Sequence, residues 1–452
     1  MRVFMLGWEF PPFISGGLGT ACFGLTKGLD RLDVRVLFVL PKPVASDFVT
    51  HVEIVAPGRP TPQMERRRRT SSYVSYESQN VQFRTIDAEL RPYMRPKSAE
   101  TVKHQEKTYH TKEIPGAEVP DWPGFPQDRR KSSQKDLTAG PGADYEGNLF
   151  DLIERYTYLV EEVCANEQFD LIHAHDWMTY RAGMRAAQIT GKPLIAHIHS
   201  TEFDRSGLHV NQQIYDIERA GMQFATRVIA VSYLTKNLVL KHYGVDGRKV
   251  DVVYNAIDDN GPGASRTLPA IQRDEKIVLF LGRITMQKGP EYFLQAAKRV
   301  LDVQQNVRFI MAGSGDMVRG MIELATAMGI EDKVLFTGFL RGDDVQRVFR
   351  MADLYVMPSV SEPFGIAPLE ALANDVPVLI SKQSGVAEVI QHALKVDFWD
   401  VEEMANKIVA VLRHPPLQAT LRNHGGIEVR RFSWTDAAEC CLQSYRKAIS
   451  GT

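Results

Sequence analysis

Short apolar runs rich in β-branched residues recur along this chain, and between them apolar positions repeat every three to four residues. In the first half the runs are 3–6, 34–39, 171–174, 194–197, 228–231 and 250–253, while 20–31 and 145–165 carry the helical spacing. Runs this short read as strands buried on both faces, and strands alternating with helices predict a parallel sheet covered by helices on each side. The turn-rich stretch Asp258-Asp259-Asn260-Gly261-Pro262-Gly263 interrupts the rhythm, which restarts with runs at 277–281, 307–312, 334–337, 354–357 and 376–380. Two Rossmann-like doubly wound α/β domains follow, 1–260 and 261–433, with a cleft between their facing strand ends. A last helix, in the segment 434–452, has apolar residues at Ala437, Cys441, Tyr445 and Ala448 and is a candidate to return to the first domain.

One segment breaks the pattern. Residues 57–141 are rich in Arg, Ser, Pro, Gln and Lys, and within them only 81–86 alternates like a strand. The stretch 97–142 reads as a mobile excursion. Its Tyr, Trp and Arg content would suit stacking on carbohydrate, or would pack the segment down.

A chain of 452 residues exceeds one typical core, which agrees with two or three domains. Lys and Arg number 54 against 55 Asp and Glu, so the formal charge is −1 and no global basic field points to nucleic acid. Arg66-Arg67-Arg68-Arg69 reads as a solvated loop ahead of an anion patch. The 4 cysteines have no zinc spacing, and free thiols fit a cytoplasmic protein. The run at 1–6 is too short for a signal sequence, and no stretch approaches the ~18 apolar residues of a spanning helix. Peripheral membrane contact stays open.

The strand tips carry the candidate chemistry. Ser361-Glu362-Pro363-Phe364-Gly365-Ile366-Ala367-Pro368-Leu369-Glu370 follows the run at 354–357, with Gly365 onward read as a helix start. A helix N-terminus favours an anion, and ionised Glu accepts from hydroxyls, so the pair suits a ligand with both phosphate and sugar. The same glutamates would equally serve as ordinary helix-start acids. Gly282-Arg283 and Lys288-Gly289 put two cations on one strand–helix loop, fit for a diphosphate. Ala312-Gly313-Ser314-Gly315 and Ser384-Gly385-Val386-Ala387-Glu388 add glycine-containing loops able to fold around a nucleotide. In the first domain, Gly16-Gly17-Leu18-Gly19 lets backbone approach a ligand, or serves helix–sheet packing; it has neither dinucleotide nor phosphate-loop spacing. His173 and His175 share a strand face and could share a metal, but no third ligand is evident. A polar rim with Asp176 and Trp177 near an acceptor is the preferred reading, joined by Glu9 on the first loop. His199 lies just past its strand, within reach of a sugar hydroxyl, while His197 satisfies a buried hydrogen bond.

Together these motifs resemble the retaining glycosyltransferases of the GT-B fold, of the family-4 type, with glycogen and starch synthases as near relatives. Glu362 and Glu370 match the E-x7-E motif, Gly282-Arg283 with Lys288-Gly289 the G-R-x4-K-G motif, and Gly16-Gly17-Leu18-Gly19 the N-terminal glycine loop. His199 matches the cleft histidine, and His173-Ala174-His175-Asp176-Trp177 looks like the H-A-H-D-W stretch of glycogen synthases. The resemblance covers most of the chain outside 57–141. It implies transfer of a sugar from a nucleoside diphosphate sugar to a carbohydrate or other hydroxyl acceptor, with anomeric retention and without cofactor or metal. Arg283 and Lys288 would hold the diphosphate, Glu370 the ribose, and Glu362 the donor sugar. Phe364, Gly365, Ile366 and Ala367 would add backbone amides, Gly16 and Gly17 would approach the phosphates, and His199 would sit near the anomeric carbon. One departure bears on substrate: bacterial glycogen synthases carry Lys-Thr-Gly-Gly-Leu, whereas this chain has Phe13-Ile14-Ser15-Gly16-Gly17-Leu18, which weakens a glucan-synthase assignment. The alternatives are a glycan phosphorylase, which needs a lysine carrying pyridoxal phosphate, and a catalytically silent sugar-nucleotide-binding protein.

Overall fold

The computed structural model describes residues 1–11, 16–41, 53–56, 74–76, 81–85, 149–257 and 275–451. Phe13 to Ser15, the Arg66–Arg69 run, the stretch 97–142 and the 258–263 turn lie outside these residues.

The first lobe is built on a nine-stranded sheet. Its strands are β1 (Arg2–Leu6), β2 (Arg35–Leu40), β3 (Glu53–Ala56), β4 (Val74–Tyr76), β5 (Val81–Thr85), β6 (Leu171–His175), β7 (Leu194–Ile198), β8 (Arg227–Ala230) and β9 (Val250–Val252). Their order is β4-β3-β5-β2-β1-β6-β7-β8-β9, parallel throughout except for the β3–β4 pair. Every residue of β6 and β7 is buried, as expected of strands covered on both faces. The helix Gly17–Arg31 buries Leu18, Ala21, Cys22, Leu25 and Leu29, a stripe on one face. Its small residues then admit another helix. A Cβ on Gly28 would lie 2.1 Å from the Trp434 carbonyl oxygen, and one on Gly24 2.0 Å from the Trp434 ring. The C-terminal helix Trp434–Ser450 therefore packs on the first lobe, where Trp434, Ala437, Cys441, Tyr445 and Ala448 join the core of β1, β2, β6 and β7.

The second sheet has six parallel strands: β10 (Lys276–Leu281), β11 (Val307–Ala312), β12 (Val334–Gly338), β13 (Leu354–Met357), β14 (Val378–Ser381) and β15 (Leu394–Val396). Their order is β12-β11-β10-β13-β14-β15. Alternate residues feed opposite cores: Val278 and Phe280 join Phe293 and Val300 on one side, Ile277 and Leu279 join Tyr355 and Leu369 on the other. This doubly wound order reverses between β10 and β13, and ligands of such sheets bind where the strand order reverses, outside the carboxyl ends of the strands. The loops leaving β10 and β13 carry Arg283 and Lys288, and Glu362. Of residues 81–86, expected as a strand, 81–85 form β5 and 86 lies outside the described residues; β3, β4 and β15 were not expected.

Candidate active site

A cavity of about 310 Å³ opens between the lobes. The first lobe lines it with Gly16, Gly17, His199 and Asn255; the second contributes Arg283, Lys288, Glu362, Phe364 to Ala367 and Glu370. Local chain geometry makes the meeting possible. After β10 the chain makes a short turn at Met286–Lys288 and reaches Gly289 at φ 60°, where a Cβ would stand 2.2 Å from the Pro358 carbonyl oxygen. Only glycine lets this loop close on the end of β13. Lys288 then forms an ion pair with Glu362, which is buried. Ser359 Oγ donates to the same Glu362 oxygen at 3.1 Å, and Ser381 Oγ donates to the Ser359 carbonyl at 2.7 Å. Glu362 is also stitched through its backbone, donating to the Gln383 carbonyl and accepting from the Gly385 amide, both at 2.9 Å. A carboxylate fixed this way keeps acceptor capacity for a ligand hydroxyl, and the ammonium beside it can move to an incoming phosphate. Glu370 lies in the first turn of the helix Ala367–Ala373, with its carboxyl pushed up to about 7 by burial.

On the other wall, His199 shares a 2.9 Å hydrogen bond between its Nε2 and His175 Nδ1. Burial lowers its pKa to about 3, so the ring is neutral and acts as a hydrogen-bonding group without charge. Register explains its company. His175 on β6 sits opposite His197 on β7, so alternate residues His173, His175, His197 and His199 project on one face. His173 and His175 stack at 4.3 Å between ring centres, His197 and His199 at 4.2 Å. His173 shares further hydrogen bonds with His197 Nδ1 at 3.1 Å and with the Tyr445 hydroxyl at 2.6 Å. The structure thus supplies the third imidazole that the sequence did not reveal: ligand atoms of His173, His175 and His197 lie within 4.8 Å of one another. Neutral imidazoles are the form that ligates a metal, and among the described residues this is the group able to hold one.

Comparison with known proteins bears on the family and the fold. Residues 119–260 match the family profile described as Glycosyltransferase Family 4, and 265–426 that of Glycosyl transferases group 1. An uncharacterised glycosyltransferase of Methanocaldococcus jannaschii is 33% identical over 301 residues, covering 63% of this chain and 76% of the relative. The chain belongs to the family-4 glycosyltransferases. A D-inositol 3-phosphate glycosyltransferase of Rhodococcus jostii is 28% identical, covering 70% of this chain and 75% of the relative. Among solved structures, sucrose-phosphate synthase of Thermosynechococcus elongatus superposes with a TM-score of 0.67 at 19% identity, covering 100% of both chains. HepE of Anabaena, in complex with UDP-glucose, does so at 0.63 and 18%, again over 100% of both. These similarities show the GT-B fold.

Three expected site residues of this glycosyltransferase are not at the cavity. Trp177 is 3% exposed and begins a helix that turns its ring into the core against Phe150. Asp176 is buried, and its unusual backbone (φ 59°, ψ 168°) aims the carboxylate at the β7 loop, where Oδ1 accepts from the His199 amide at 2.7 Å. Its carboxylate therefore holds the start of the His199 loop and does not line the cavity. Glu9, on the first loop, is likewise buried and is not part of the cavity lining. The Ser384–Glu388 loop also faces elsewhere: Glu388 accepts from the Tyr233 and Leu234 amides, at 3.0 and 2.6 Å, and so joins the lobes. The helix after β13 runs from Ala367 to Ala373, two residues later than expected, because Gly365 takes φ 100°. The sequence reading missed Asn255, Ser359 and Phe339. Phe339 is 46% exposed and lines the cavity beside Arg341, whose guanidinium lies 5.2 Å from its ring centre. The signal available was Gly338 and Gly342, both at positive φ, bracketing an exposed aromatic at a strand tip. No helix among the described residues is long and apolar enough to cross a membrane.

Proposed function

We propose that this family-4 enzyme transfers a hexose from a nucleoside diphosphate sugar to a hydroxyl acceptor with retention of anomeric configuration. The observation that supports this best is the convergence of Arg283, Lys288, Glu362 and Glu370 from two adjacent strand tips on one cavity, faced by Gly17 and His199. Arg283 and Lys288 neutralise the diphosphate, Glu362 accepts from the sugar hydroxyls and Glu370 from the ribose. The acceptor oxygen attacks from the side the diphosphate leaves. The bond from the anomeric carbon to the β-phosphate oxygen breaks, the new glycosidic bond forms, and the acceptor proton passes to the departing phosphate. Catalysis then rests on positioning and on stabilising the leaving group, and activity should survive EDTA. Cys22, Cys164, Cys440 and Cys441 are free thiols, in keeping with a cytoplasmic site of action.

The donor screen begins with UDP-glucose, which HepE binds, and extends to ADP- and GDP-sugars. The acceptor panel begins with α-glucans and adds inositol phosphates and sugar phosphates, after the names of the relatives. A preferred donor raises the melting temperature, by about 3 kcal/mol of stabilisation at 100 times its Kd. Product anomers are then read by NMR. An axial donor giving an equatorial product overturns retention, and the absence of any thermal shift across the panel overturns the donor assignment.

A further inference from the structure

Asp204 lies on the short helix Glu202–Ser206 of the first lobe and is 2% exposed. Its two carboxylate oxygens have different partners. Oδ2 accepts from the Thr201 amide at 2.8 Å and from the Thr201 hydroxyl at 2.7 Å. The Thr201 hydroxyl in turn accepts from the Asp204 amide, closing a capping box. Oδ1 leaves the lobe: it accepts from Ser361 Oγ at 2.5 Å. Thr201 is two residues past His199, and Ser361 immediately precedes Glu362. One buried carboxylate thus grips the loop that carries the histidine and the loop that carries the glutamate.

We propose that Asp204 is a positioning residue that sets His199 against Glu362 across the cleft, one oxygen committed to each lobe. The assignment of those two side chains to the donor sugar rests on the function proposed above.

A capping role alone does not account for this arrangement. The capping box uses Oδ2 only, and a five-residue helix gains little from it. A buried carboxylate carries a heavy desolvation cost, and sending its second oxygen to a hydroxyl on the other lobe is what satisfies it. The surroundings keep the carboxylate in place. Arg205 donates to the Ser200 carbonyl at 2.8 Å and pairs with Glu202 and Glu218, so the segment from Ser200 to Arg205 is braced from behind. On the second lobe, the next residue pair of the Ser361 loop is held too, since Ser232 Oγ donates to the Pro363 carbonyl at 2.6 Å. The loop bearing Glu362 is therefore clamped between two first-lobe contacts, one of which reaches the histidine loop directly.

The test uses the full chain. Ser361→Ala removes the cross-lobe bond and nothing of the first lobe, and Ser361→Thr keeps a hydroxyl as the conservative control. In hydrogen–deuterium exchange without ligand, Ser361→Ala should speed exchange of the amides of 199–206, on the opposite lobe, by about tenfold, the scale of one hydrogen bond to a charged group. Ser361→Thr should exchange like the unaltered protein. With donor, kcat should fall about tenfold while nucleotide affinity stays within twofold, and Asp204→Asn combined with Ser361→Ala should be no worse than the poorer single variant. Unchanged exchange at 199–206 in Ser361→Ala overturns the proposal, as does a loss confined to melting temperature with kcat intact. If the unaltered enzyme turns over no donor, the functional assignment fails, while the exchange measurement still decides whether the lobes are registered here.

Discussion

If Glu370 accepts hydroxyls from the nucleotide ribose, nucleotide affinity must follow its ionisation. Burial in the cavity pushes this carboxyl up to about 7, so near neutrality the free enzyme is divided between acid and anion. Only the anion offers two oxygens that both accept. With a pKa near 7, about nine-tenths is ionised at pH 8 and about 3% at pH 5.5, so affinity should fall about 30-fold, or about 2 kcal/mol, over that range. The measurement is calorimetric titration of UDP from pH 5.5 to 8 in the unaltered enzyme and in Glu370→Gln, which keeps the side chain's size and loses its charge. The phosphate's own titration, and the contributions of Arg283 and the Lys288–Glu362 pair, are common to both proteins and cancel in the ratio. His199, held at about 3, stays neutral throughout. The same group affects stability with opposite sign. Because the native state binds this proton more tightly than the unfolded chain, unfolding free energy should fall as pH rises from 4.5 to 7, by about 3 kcal/mol in all. Glu218, pushed up to about 7 by burial in the first lobe, acts in the same direction, and the comparison with Glu370→Gln separates the two. Equal pH dependence of UDP affinity in the two proteins would refute the role given to Glu370.

Other perturbations probe the remaining parts. Lys288→Met should lower kcat for donor hydrolysis by about 10²–10³-fold, measured by release of nucleoside diphosphate, with circular dichroism showing a folded protein. Gly28→Ala tests the docking of the C-terminal helix through the sign of its effect. In an exposed helix the change would stabilise by about 1 kcal/mol, whereas against the Trp434 backbone it should destabilise by about 1–3 kcal/mol, read by urea unfolding. Tyr445→Phe removes the hydroxyl from His173 Nδ1 and should cost about 1–3 kcal/mol by the same assay, because a buried imidazole nitrogen loses its partner.

What the sequence revealed, and what it hid, follows from how each feature is encoded. Strands β1, β2, β6, β7, β10, β11 and β13 are buried on both faces, so their apolar runs are continuous and stand out without alignment. The three that escaped, β3, β4 and β15, read Glu-Ile-Val-Ala, Val-Ser-Tyr and Leu-Lys-Val, and none holds four apolar residues in a row as β13 does. The cations and glutamates of the second lobe were legible because a doubly wound sheet delivers the tips of β10 and β13 to one point, so position in the chain stands for position in space. The first lobe gave no such guarantee. Asp176 and Trp177 directly follow a strand tip, yet a left-handed backbone at Asp176 sends its carboxylate sideways, and the helix that follows turns Trp177 inward. Period two told that His173 and His175 share a face. That His197 and His199 join them depends on β7 lying beside β6 in a particular register, which sheet order decides. The bond from Ser361 to Asp204 is further from view, since 157 positions separate the partners and neither belongs to a motif. Residues that make the chemistry are concentrated at strand tips and announce themselves by type. Residues that hold two lobes in register announce themselves only by whom they touch, so a reading from sequence is strongest within a lobe and weakest across the cleft where the reaction takes place.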